Sequence, residues 1–512
     1  MITFSVSLLC LLLGYLTYGT IVERVIKPND AAKMPCYEKR DGVDFLPMPA
    51  WRVFLIQFLN IAGTGPIFGA ILGILFGPAA YLWIVFGCIF AGAVHDYMCG
   101  MICIRQGGVS LPEIIGNELG NGMRLIMRVG ALVLLVLVGA VFVTTPAELL
   151  KSMTLDNEAF IQFLYRLFNK DVLDKVLEVG WLFTRGFWII IIFLYFILAT
   201  LLPIDKLIGR VYPVFGLALL LMAVGLCWGI FTKSGWMPEI TDAPFVSHHP
   251  KGLPIFPILC ITIACGAISG FHGTQSPLMA RCLTNERLGR PVFYGAMITE
   301  GVVALIWAAA VVKFADSLPG NPDATPYQKL AAMGNPAVVV KAICTSWMGA
   351  VGAVLAILGV VAAPITSGDT AFRSARLIAA DFLHVSQKSI GKRLLLCLPL
   401  FVITTGLFFI NFDALWRYFA WTNQTLACIM LWAAAVWLAR QRKFYWIALL
   451  PALFMTVVCT SYILTAPEGV VLLVPEKYKA LLTVDFALYS GLILMALLAA
   501  LFFYTNRLNN KK

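Results

Sequence analysis

The sequence predicts an all-α polytopic membrane protein, and three features predict it: the composition, the long apolar stretches, and two interrupted helices in matching places. Of the 512 residues, 60% are hydrophobic and only 13% are charged, and the mean hydropathy is +0.86. A soluble globular chain is about 45–50% apolar and roughly 25% charged. The charged side chains are too few to cover a soluble core, which excludes a soluble enzyme, a disordered chain and a secreted disulfide scaffold.

Apolar stretches divide the chain into about thirteen predicted transmembrane helices, since a helix needs about 20 apolar residues to cross the hydrocarbon core. The first stretch, residues 2–22, has neither a basic leader nor a small-residue cleavage site before Glu23, so we expect a retained span. Residues 53–95 hold two spans that turn at Gly77-Pro78. The other spans are expected at residues 129–147, 186–204, 211–232, 252–280, 291–312, 342–368, 394–412, 418–439, 444–467 and 486–506.

The distribution of Lys and Arg predicts the orientation of the chain. With the N-terminus outside, most of the 38 basic residues fall in inner loops, as the positive-inside rule requires. We therefore expect a multi-pass protein of the cell (inner) membrane, with its C-terminus in the cytoplasm. Two predicted outer loops, residues 148–185 and 314–336, are long enough to fold over the outer opening of a substrate pathway.

The net charge of +11 does not indicate nucleic-acid binding, because the basic residues lie in short loops where they meet anionic lipid headgroups. Most of the 13 cysteines lie inside apolar runs and are expected to behave as small hydrophobic residues. Cys99 and Cys103 form a close pair at helical spacing, and we expect no metal site there. The expected partners are the lipid bilayer and a small substrate, and the oligomeric state stays open.

Glycine and proline interrupt two of the predicted spans. The second span reads Asn-Ile-Ala-Gly-Thr-Gly-Pro over residues 60–66, and the seventh reads Ser-Gly-Phe-His-Gly-Thr-Gln-Ser-Pro over residues 269–277. In a helix interior Gly costs about 1 kcal/mol and Pro about 3 kcal/mol. Lipid cannot satisfy the backbone groups that are freed, so such helices face protein or a wet cavity. The alternative is a packing face, which the glycines at every fourth position from Gly65 to Gly77 also favour.

Each interruption begins a group of five predicted spans. Because five is odd, the second group enters the membrane from the opposite face, which is the arrangement of an inverted repeat with a substrate site near the midplane. The predicted organisation has an N-terminal helix and cytoplasmic loop over residues 1–50 and two C-terminal helices over residues 441–512. Between them lie two five-helix repeats, over residues 51–232 and 252–440.

Polar side chains inside the spans are further candidates, because charge at membrane depth is costly and usually functional. His95 and Asp96 lie in the third span, His272 in the interruption of the seventh, and Glu300 in the eighth. Histidine titrates near neutral pH, which suits His272 to a proton-linked switch. The alternative for each is a structural hydrogen bond or salt bridge inside the bundle. We prefer this alternative for Asp485, which lies outside the two repeats.

The chain resembles the carbon starvation protein A family. The resemblance is carried by Asp-Gly-Val-Asp-Phe at residues 41–45, Asn-Ile-Ala-Gly-Thr-Gly-Pro-Ile at 60–67, Ala-Gly-Ala-Val-His-Asp-Tyr at 91–97, Ile-Ala-Cys-Gly-Ala-Ile-Ser-Gly-Phe-His at 263–272, and Asn423-Gln424. It covers essentially the whole chain. It implies a secondary transporter related to the amino acid–polyamine–organocation superfamily, with a LeuT-like core of five plus five helices. Such proteins are linked to uptake of peptides, and in some members pyruvate, during nutrient limitation, with proton coupling.

The resemblance also implies where the site lies. Residues 63–66 and 270–277 would be the unwound segments. A cation site suited to a hard ion such as Na⁺ would form from two groups of residues, Asn60, Ala62 and Gly63 with Thr366 and Ser367. The chain departs from the family in lacking the extended C-terminal portion of many members, and in the residues Gly-Thr-Gln-Ser-Pro that follow His272.

The predicted function is secondary active transport of a small peptide or a small carboxylate such as pyruvate. The transport is expected to be coupled to a proton or sodium gradient in the carbon-starvation response, without enzymatic activity and with no cofactor other than the coupling cation. The sequence has no phosphate-binding loop for ATP. The alternatives are an intramembrane aspartyl hydrolase built on Asp96 and Asp369, and a gated channel. The candidate substrate residues are Gly63, Thr64, Gly65, Gly270, His272, Gly273, Thr274, Gln275, Ser276, Asn423 and Gln424. The candidate ion-coupling residues are Asn60, Ala62, Thr366, Ser367, Asp369, Asp96 and Glu300.

Overall fold

The computed structural model describes residues 1–168, 174–175, 180–201, 204–243, 245–319, 321–385 and 389–509. Every regular element within these ranges is a helix. Parts of both predicted outer loops, the end of the predicted fifth span and the last residues of the C-terminal tail lie outside the described residues.

The first half of the chain forms helices α1 to α12. A π-helix, Trp83–Gly92, joins α6 to α7, and a 3₁₀ turn, Ile74–Phe76, follows α5. In chain order the α-helices are Ile2–Leu16, Tyr18–Ile26, Pro35–Glu38, Ala50–Ile61, Thr64–Gly73, Ala79–Leu82, Ala93–Arg105, Leu111–Leu119, Asn121–Met153, Glu158–Leu167, Arg185–Leu201 and Ile204–Thr232.

The second half forms helices α13 to α23. A π-helix, Arg290–Tyr294, precedes α15, and another, Ile357–Val361, joins α17 to α18. In chain order the α-helices are Ile258–Thr262, Gly270–Ala280, Gly295–Asp316, Pro326–Ala332, Pro336–Ala356, Ala362–Leu383, Ile390–Leu407, Phe412–Arg440, Trp446–Thr465, Glu476–Lys479 and Val484–Asn509.

Ten helical segments of the described chain are long and apolar enough to cross a membrane, or eleven if the bent pair Ala50–Ile61 and Thr64–Phe76 is one span. Besides this bent pair, two of the thirteen predicted spans are not continuous long helices in the described chain. The span predicted at residues 186–204 forms α11, of 17 residues, and the one predicted at 252–280 is divided into α13 and α14. The span predicted at 342–368 corresponds to α17, which begins at Pro336 and bends at Gly349, where φ is 61°.

The turn predicted at Gly77-Pro78 is present. Gly77 has a φ of 89°, in the region that favours glycine, and Pro78 directly precedes α6. The stretch that follows is the π-helix Trp83–Gly92, a form that is frequent at functional sites. Glycine is required at its end, since a Cβ atom on Gly92 would lie 2.2 Å from the carbonyl oxygen of Ala267.

The centre of the bundle is built around α9, which packs along α18, α11 and α20. Helix α14 packs against α7, α4 and α20, and α15 packs against α5 and α4. Helices at the periphery of the bundle, the two terminal ones among them, expose large apolar side chains. Leu12 in α1 is 51% exposed and Leu497 in α23 is 63% exposed. Apolar exposure on helices long enough to span a bilayer identifies the surface that faces lipid.

Candidate functional site

The first helix break lies between α4 and α5. After α4, Ala62 and Gly63 are not helical, and α5 begins at Thr64 after a bend of 44°. Pro66 is the third residue of α5, where a backbone N–H has no partner within the helix, so the proline removes no hydrogen bond. The unwound segment predicted over residues 63–66 is therefore wrong in extent, since only Gly63 of that segment is unwound.

The second helix break comprises residues 263–269, between α13 and α14. The unwound segment predicted over residues 270–277 is wrong, because these residues form α14. Pro277 lacks the N–H group that would bond to Gly273 O, and the thiol of Cys99 donates to this carbonyl instead, at 3.3 Å. A neighbouring side chain thus satisfies the freed carbonyl, and the helix continues through the proline.

The two breaks lie against each other. A Cβ atom on Gly65 would lie 2.4 Å from Cys265 Sγ, and one on Gly69 would lie 3.1 Å from Thr262 O. The glycines of α5 therefore let its backbone approach the second break. The packing face and the interrupted site, which the sequence left as alternatives, are parts of one arrangement.

Asn423 and Gln424 of α20 bind the broken backbone. Asn423 Oδ1 accepts hydrogen bonds from Phe271 N at 2.6 Å and from Ser269 Oγ at 3.1 Å. Gln424 Nε2 donates to Cys260 O at 3.2 Å. Asn423 thus pairs with a backbone N–H at the N-terminus of α14, and Gln424 pairs with a backbone carbonyl of α13. Helix ends are where backbone groups lack partners within the helix. These two predicted substrate residues are therefore hydrogen-bonded to the protein's own backbone beside the second break.

Two further predicted residues, both glycines, determine how α14 packs, and a third bonds within that helix. A Cβ atom on Gly270 would lie 2.4 Å from Asn423 O, and one on Gly273 would lie 3.2 Å from His95 Cε1. Thr274 Oγ1 donates to Phe271 O at 2.7 Å, within its own helix. Glycine at these two positions lets α14 approach both α20 and α7.

Gln275 and Ser276 of α14 face two different helices. Gln275 Nε2 donates to Ser374 Oγ of α18 at 3.4 Å, and Ser276 Oγ accepts from Gln57 Nε2 of α4 at 3.3 Å. Among the described residues, no hydrogen-bond partner is found for the buried Oε1 atoms of Gln57 and Gln275. Because buried polar atoms are normally hydrogen-bonded, these two are suited to bind a polar ligand.

The predicted cation ligands meet where α4 ends. Ser367 Oγ of α18 donates to Leu59 O at 3.2 Å, and a Cβ atom on Gly63 would lie 2.9 Å from the same Oγ atom. Asn60 and Thr366, their neighbours in sequence, are fully buried. Carbonyl, amide and hydroxyl oxygens are the ligands that hard cations prefer. Gly63 and Ser367 are therefore in contact, and the binding of a cation such as Na⁺ by the five residues stays a prediction.

Four titratable side chains form a buried chain across α7, α14 and α15. His95 Nδ1 lies 2.8 Å from Asp96 Oδ1, and His272 Nδ1 lies 3.0 Å from Asp96 Oδ2. On the other side of the ring, His272 Nε2 lies 3.4 Å from Glu300 Oε2. All four side chains are completely buried. The sequence selected these residues one by one, and the structure joins them in a line.

Asp369 belongs to a different group of charges. It lies 4.0 Å from Arg373 of the same helix, and Arg373 and Arg376 approach Asp44 at 3.7 Å and 3.6 Å. Neither Asp44 nor the two arginines were predicted as functional. A signal was present, since the spacing of Asp369, Arg373 and Arg376 places all three on one face of a helix.

The described residues contain no group of three or more His, Cys, Asp or Glu side chains that could hold a metal ion. The four buried titratable groups follow one another in a line, so they do not surround a common point. The 13 cysteines are all free thiols.

Two cavities lie toward opposite ends of the bundle. One, of about 610 Å³, is lined by Thr145 of α9 on the predicted outer side. The other, of about 320 Å³, is lined by Asp44 and Arg281 on the predicted inner side. Phe142 lies one turn before Thr145, and its Cζ atom is 3.4 Å from the position of a Cβ atom on Gly63. The first break therefore lies beside α9, below the larger cavity.

Comparison with known protein families decides where the chain belongs. The family model described as carbon starvation protein CstA matches residues 1–168, 163–321 and 321–462, most of the chain. The chain belongs to the CstA family. The resemblance carried by the sequence motifs is confirmed.

Several CstA relatives match over long segments. An uncharacterized membrane protein of Haemophilus influenzae is 46% identical over 338 residues, which cover 61% of this chain and 91% of the relative. The peptide transporter CstA of Bacillus subtilis is 29% identical over 358 residues, covering 60% of this chain and 58% of the relative. The peptide transporter CstA of Escherichia coli is 25% identical over 552 aligned positions, covering 88% and 78%. The match thus spans little more than half the length of the Bacillus transporter.

A solved structure shows which fold this CstA-family chain adopts. MhsT in complex with L-phenylalanine matches 88% of this chain and 97% of its own, with a TM-score of 0.52 and 13% sequence identity. This likeness supports the predicted LeuT-like fold. The total of thirteen spans and the division into two five-helix repeats stay predictions. With ten apolar helices in the part of the chain that the structure describes, and relatives named as transporters, the CstA-family chain is a multi-pass membrane transporter.

Proposed function

We propose that this CstA-family chain imports a small peptide or a small carboxylate such as pyruvate across the cell (inner) membrane, driven by a proton or sodium gradient, in the carbon-starvation response. The observation that carries the proposal is the contact between the first turn of α5, directly after the first break, and the second break, seen where Gly65 meets Cys265. Both residues are buried. Paired broken helices are how many secondary transporters build a substrate site near the membrane midplane.

The carboxylate of the substrate is assigned to the N-termini of α5 and α14. Their first residues, Thr64 and Gly270, directly follow the two breaks. Unpaired N–H groups at a helix N-terminus attract anions. At α14 the N–H of Phe271 is already donated to Asn423, so the substrate would use the neighbouring N–H groups of that turn. Gln57, Gln275 and Ser276 add buried polar atoms alongside α14. A peptide and pyruvate both carry a carboxylate, so this assignment supports either substrate.

A peptide also carries an ammonium group, which needs an acceptor oxygen. Glu300 of α15 has two oxygens without a hydrogen-bond partner among the described residues, but it is assigned to the coupling proton, so the buried Oε1 atoms of Gln57 and Gln275 are the candidate partners. Asp96 is less suited, since both of its oxygens contact histidines. The relatives in Bacillus subtilis and Escherichia coli, which are named peptide transporters, also favour the peptide.

Alternating access is proposed to come from movement of the broken helices against α9 and α18. The cavities of about 610 Å³ and about 320 Å³ lie at the two ends of the bundle and would open to solvent in turn. In this proposal the face with Lys39 and Arg281 is cytoplasmic, as the positive-inside rule predicts. The N-terminus is then outside. Two proposed routes serve the coupling ion: the oxygens around Ser367 for sodium, and the four buried titratable groups for the proton.

The structure gives the aspartyl hydrolase alternative no support. Such an enzyme needs two carboxylates close enough to share a proton. Asp96 contacts His95 and His272, whereas Asp369 pairs with Arg373. No hydrogen bond joins the two aspartates among the residues described, so we propose no hydrolytic function.

Uptake into proteoliposomes tests the proposal. The full-length protein is reconstituted and given radiolabelled dialanine or pyruvate with an inward proton gradient, an inward sodium gradient, or no gradient. We expect one substrate to accumulate above the gradient-free level with one of the two ions. Vesicles without protein report the background. No gradient-dependent accumulation of either substrate would contradict the proposal.

A pair of variants tests where the substrate binds. Gln275→Ala removes a buried amide from α14, and we expect it to weaken binding of the accepted substrate in a thermal-shift titration. The titration reports binding because a ligand that binds only the native state stabilises it. Gln441→Ala removes an exposed amide in the loop before α21 and is the matched control. Identical titrations of both variants would place the substrate away from α14.

A further inference from the structure

Glu300 forms one end of the buried chain of titratable groups. Neither of its oxygens has a hydrogen-bond partner among the described residues, and Oε2 lies 3.4 Å from His272 Nε2. An ionised carboxylate without a donor is costly inside a protein. A proton bound to Glu300 would supply the missing donor and complete a hydrogen bond to His272.

We infer that Glu300, His272, Asp96 and His95 form a relay that carries the coupling proton, an inference that rests on the proposed transport function. Successive groups lie 3.4, 3.0 and 2.8 Å apart. An imidazole can accept a proton on one ring nitrogen while it releases another from the second. Chains of Asp, Glu and His within membrane bundles serve as proton relays in transporters.

The transfer conserves protons at each step. A proton bound to Glu300 passes to His272 Nε2, and the N–H at His272 Nδ1 passes its proton to Asp96 Oδ2. A half-turn of the Asp96 carboxyl group presents this proton to His95 Nδ1, and His95 releases the proton from its Nε2 atom. One proton enters and one leaves. His272 and His95 each end in the other tautomer, and the starting tautomers return when each ring loses a proton from one nitrogen and gains one from water on the other.

The other end of the relay leads toward the predicted cytoplasmic face. A Cβ atom on Gly273 would lie 3.3 Å from His95 Nε2 and 3.2 Å from Leu111 Cδ2, so Nε2 points between α14 and α8. A cavity of about 10 Å³ is lined there by Leu111, Thr274 and Arg281, and it has about the volume that one water needs. Arg281 also lines the cavity of about 320 Å³. We propose that a proton released by His95 passes through the water-sized cavity to the larger one.

The other titratable groups around the relay are thiols. Cys88, Cys99 and Cys265 interact electrostatically with its two carboxylates. Cys88 and Cys99 each donate a hydrogen bond to a backbone carbonyl oxygen at 3.3 Å, so these thiol protons do not point at the relay. Among the described residues, no lysine or arginine forms an ion pair with the relay. The charge of the relay is therefore determined by its own four members.

Transport assays separate the relay from substrate binding. Glu300→Gln should abolish proton-driven accumulation of whichever of dialanine or pyruvate the wild-type protein takes up. Exchange of labelled for unlabelled substrate should continue, because exchange needs no net proton movement. Asp485→Asn removes an exposed carboxylate at the start of α23 and should keep both activities. Glu300→Asp keeps an acid and should retain slow accumulation, which shows that this position tolerates substitution.

Two outcomes of these assays would overturn the relay. The first is accumulation by Glu300→Gln at the wild-type rate. The second is loss of both accumulation and exchange in a Glu300→Gln protein that still gives a wild-type melting curve, which would assign Glu300 to substrate binding instead.

Infrared spectroscopy tests the relay without a transported substrate. A pH titration of the wild-type protein in detergent should show the carbonyl band of a protonated, buried carboxyl group. Glu300→Gln should lack this band and Asp485→Asn should keep it. A wild-type spectrum without the band would overturn the relay even where transport is observed. The band in a protein that transports neither substrate would support the relay's proton site and contradict the proposed import.

Discussion

The side-chain oxygen of Asn423 accepts a hydrogen bond from the backbone N–H of Phe271 at 2.6 Å. It thus caps α14 from another helix, since Ser269 at the N-cap position makes no cap bond of its own. Asn423→Ala should lower the free energy of unfolding by about 1–3 kcal/mol, the usual cost of leaving a buried donor unpaired. Thermal unfolding in detergent measures the loss. Asn321→Ala, in an exposed loop, is the control, and equal melting temperatures would refute the cap.

The close contact of the two breaks predicts a strong effect at Gly65. A Cβ atom there would lie 2.4 Å from Cys265 Sγ, so Gly65→Ala should destabilise the protein by about 1–3 kcal/mol through overpacking. Uptake should fall as well. Gly122→Ala adds the same methyl group to α9, where nothing lies within 4 Å, and should be neutral or stabilising by up to about 1 kcal/mol. Melting curves of both variants measure the effect, and equal shifts in melting temperature would contradict the close contact at Gly65.

Ser367 distinguishes sodium from proton coupling. If sodium is the coupling ion, NaCl should raise the melting temperature above that in KCl at the same ionic strength, because a bound ion stabilises the native state. Ser367→Ala should remove this difference, since it deletes the hydroxyl oxygen beside Leu59 O. Ser389→Ala, at the exposed start of α19, should keep it. Sodium stabilisation that survives in Ser367→Ala would place the ion elsewhere.

Asp44 compensates buried positive charge. Arg373 and Arg376 are 1% and 0% exposed, and both lie within 4.0 Å of its carboxylate. Asp44→Asn should destabilise the protein by about 3–5 kcal/mol, because it leaves buried charge without its partner. Adding Arg376→Met to that variant should recover part of the loss. Denaturation of Asp44→Asn, Arg376→Met and the double variant gives the three changes in the free energy of unfolding. If the change in the double variant equals the sum of the two single changes, the two residues are not coupled.

Lys443 predicts a pH dependence of stability. It lies between α20 and α21 and donates to Ile26 O, and burial, reinforced by Arg105, lowers its pKa from 10.5 to about 8. Between these pH values the unfolded chain binds more protons than the folded chain, so stability should rise as the pH increases from about 8 to 10.5. Lys443→Met should flatten this rise. Melting temperatures across the range provide the measurement, and Lys251→Met, at an exposed lysine, should keep the wild-type slope.

The predictions from sequence succeeded where local chemistry decides the outcome. Few charges and long apolar stretches predict membrane helices whatever their neighbours, and the turn at Gly77-Pro78 follows from the backbone freedom of glycine and the fixed φ of proline. They failed at the extent of the second break. Pro277 would disrupt an isolated helix, but the thiol of Cys99 repairs the lost bond. That thiol is far away in sequence, so no local pattern reports it.

The candidate site shows the same division. The sequence identified Asp96, His272 and Glu300 because a charged group in the hydrocarbon core of a membrane costs free energy. These side chains touch only after three separate helices have packed together. It also identified Asn423 from a motif, without the information that its amide caps another helix. By itself, the order of residues determined that this chain lies in a membrane, to which family it belongs and roughly where its helices give way. Only the tertiary structure decided which residues meet. Contact depends on how helices from distant parts of the sequence pack together, and local sequence preferences do not report that packing.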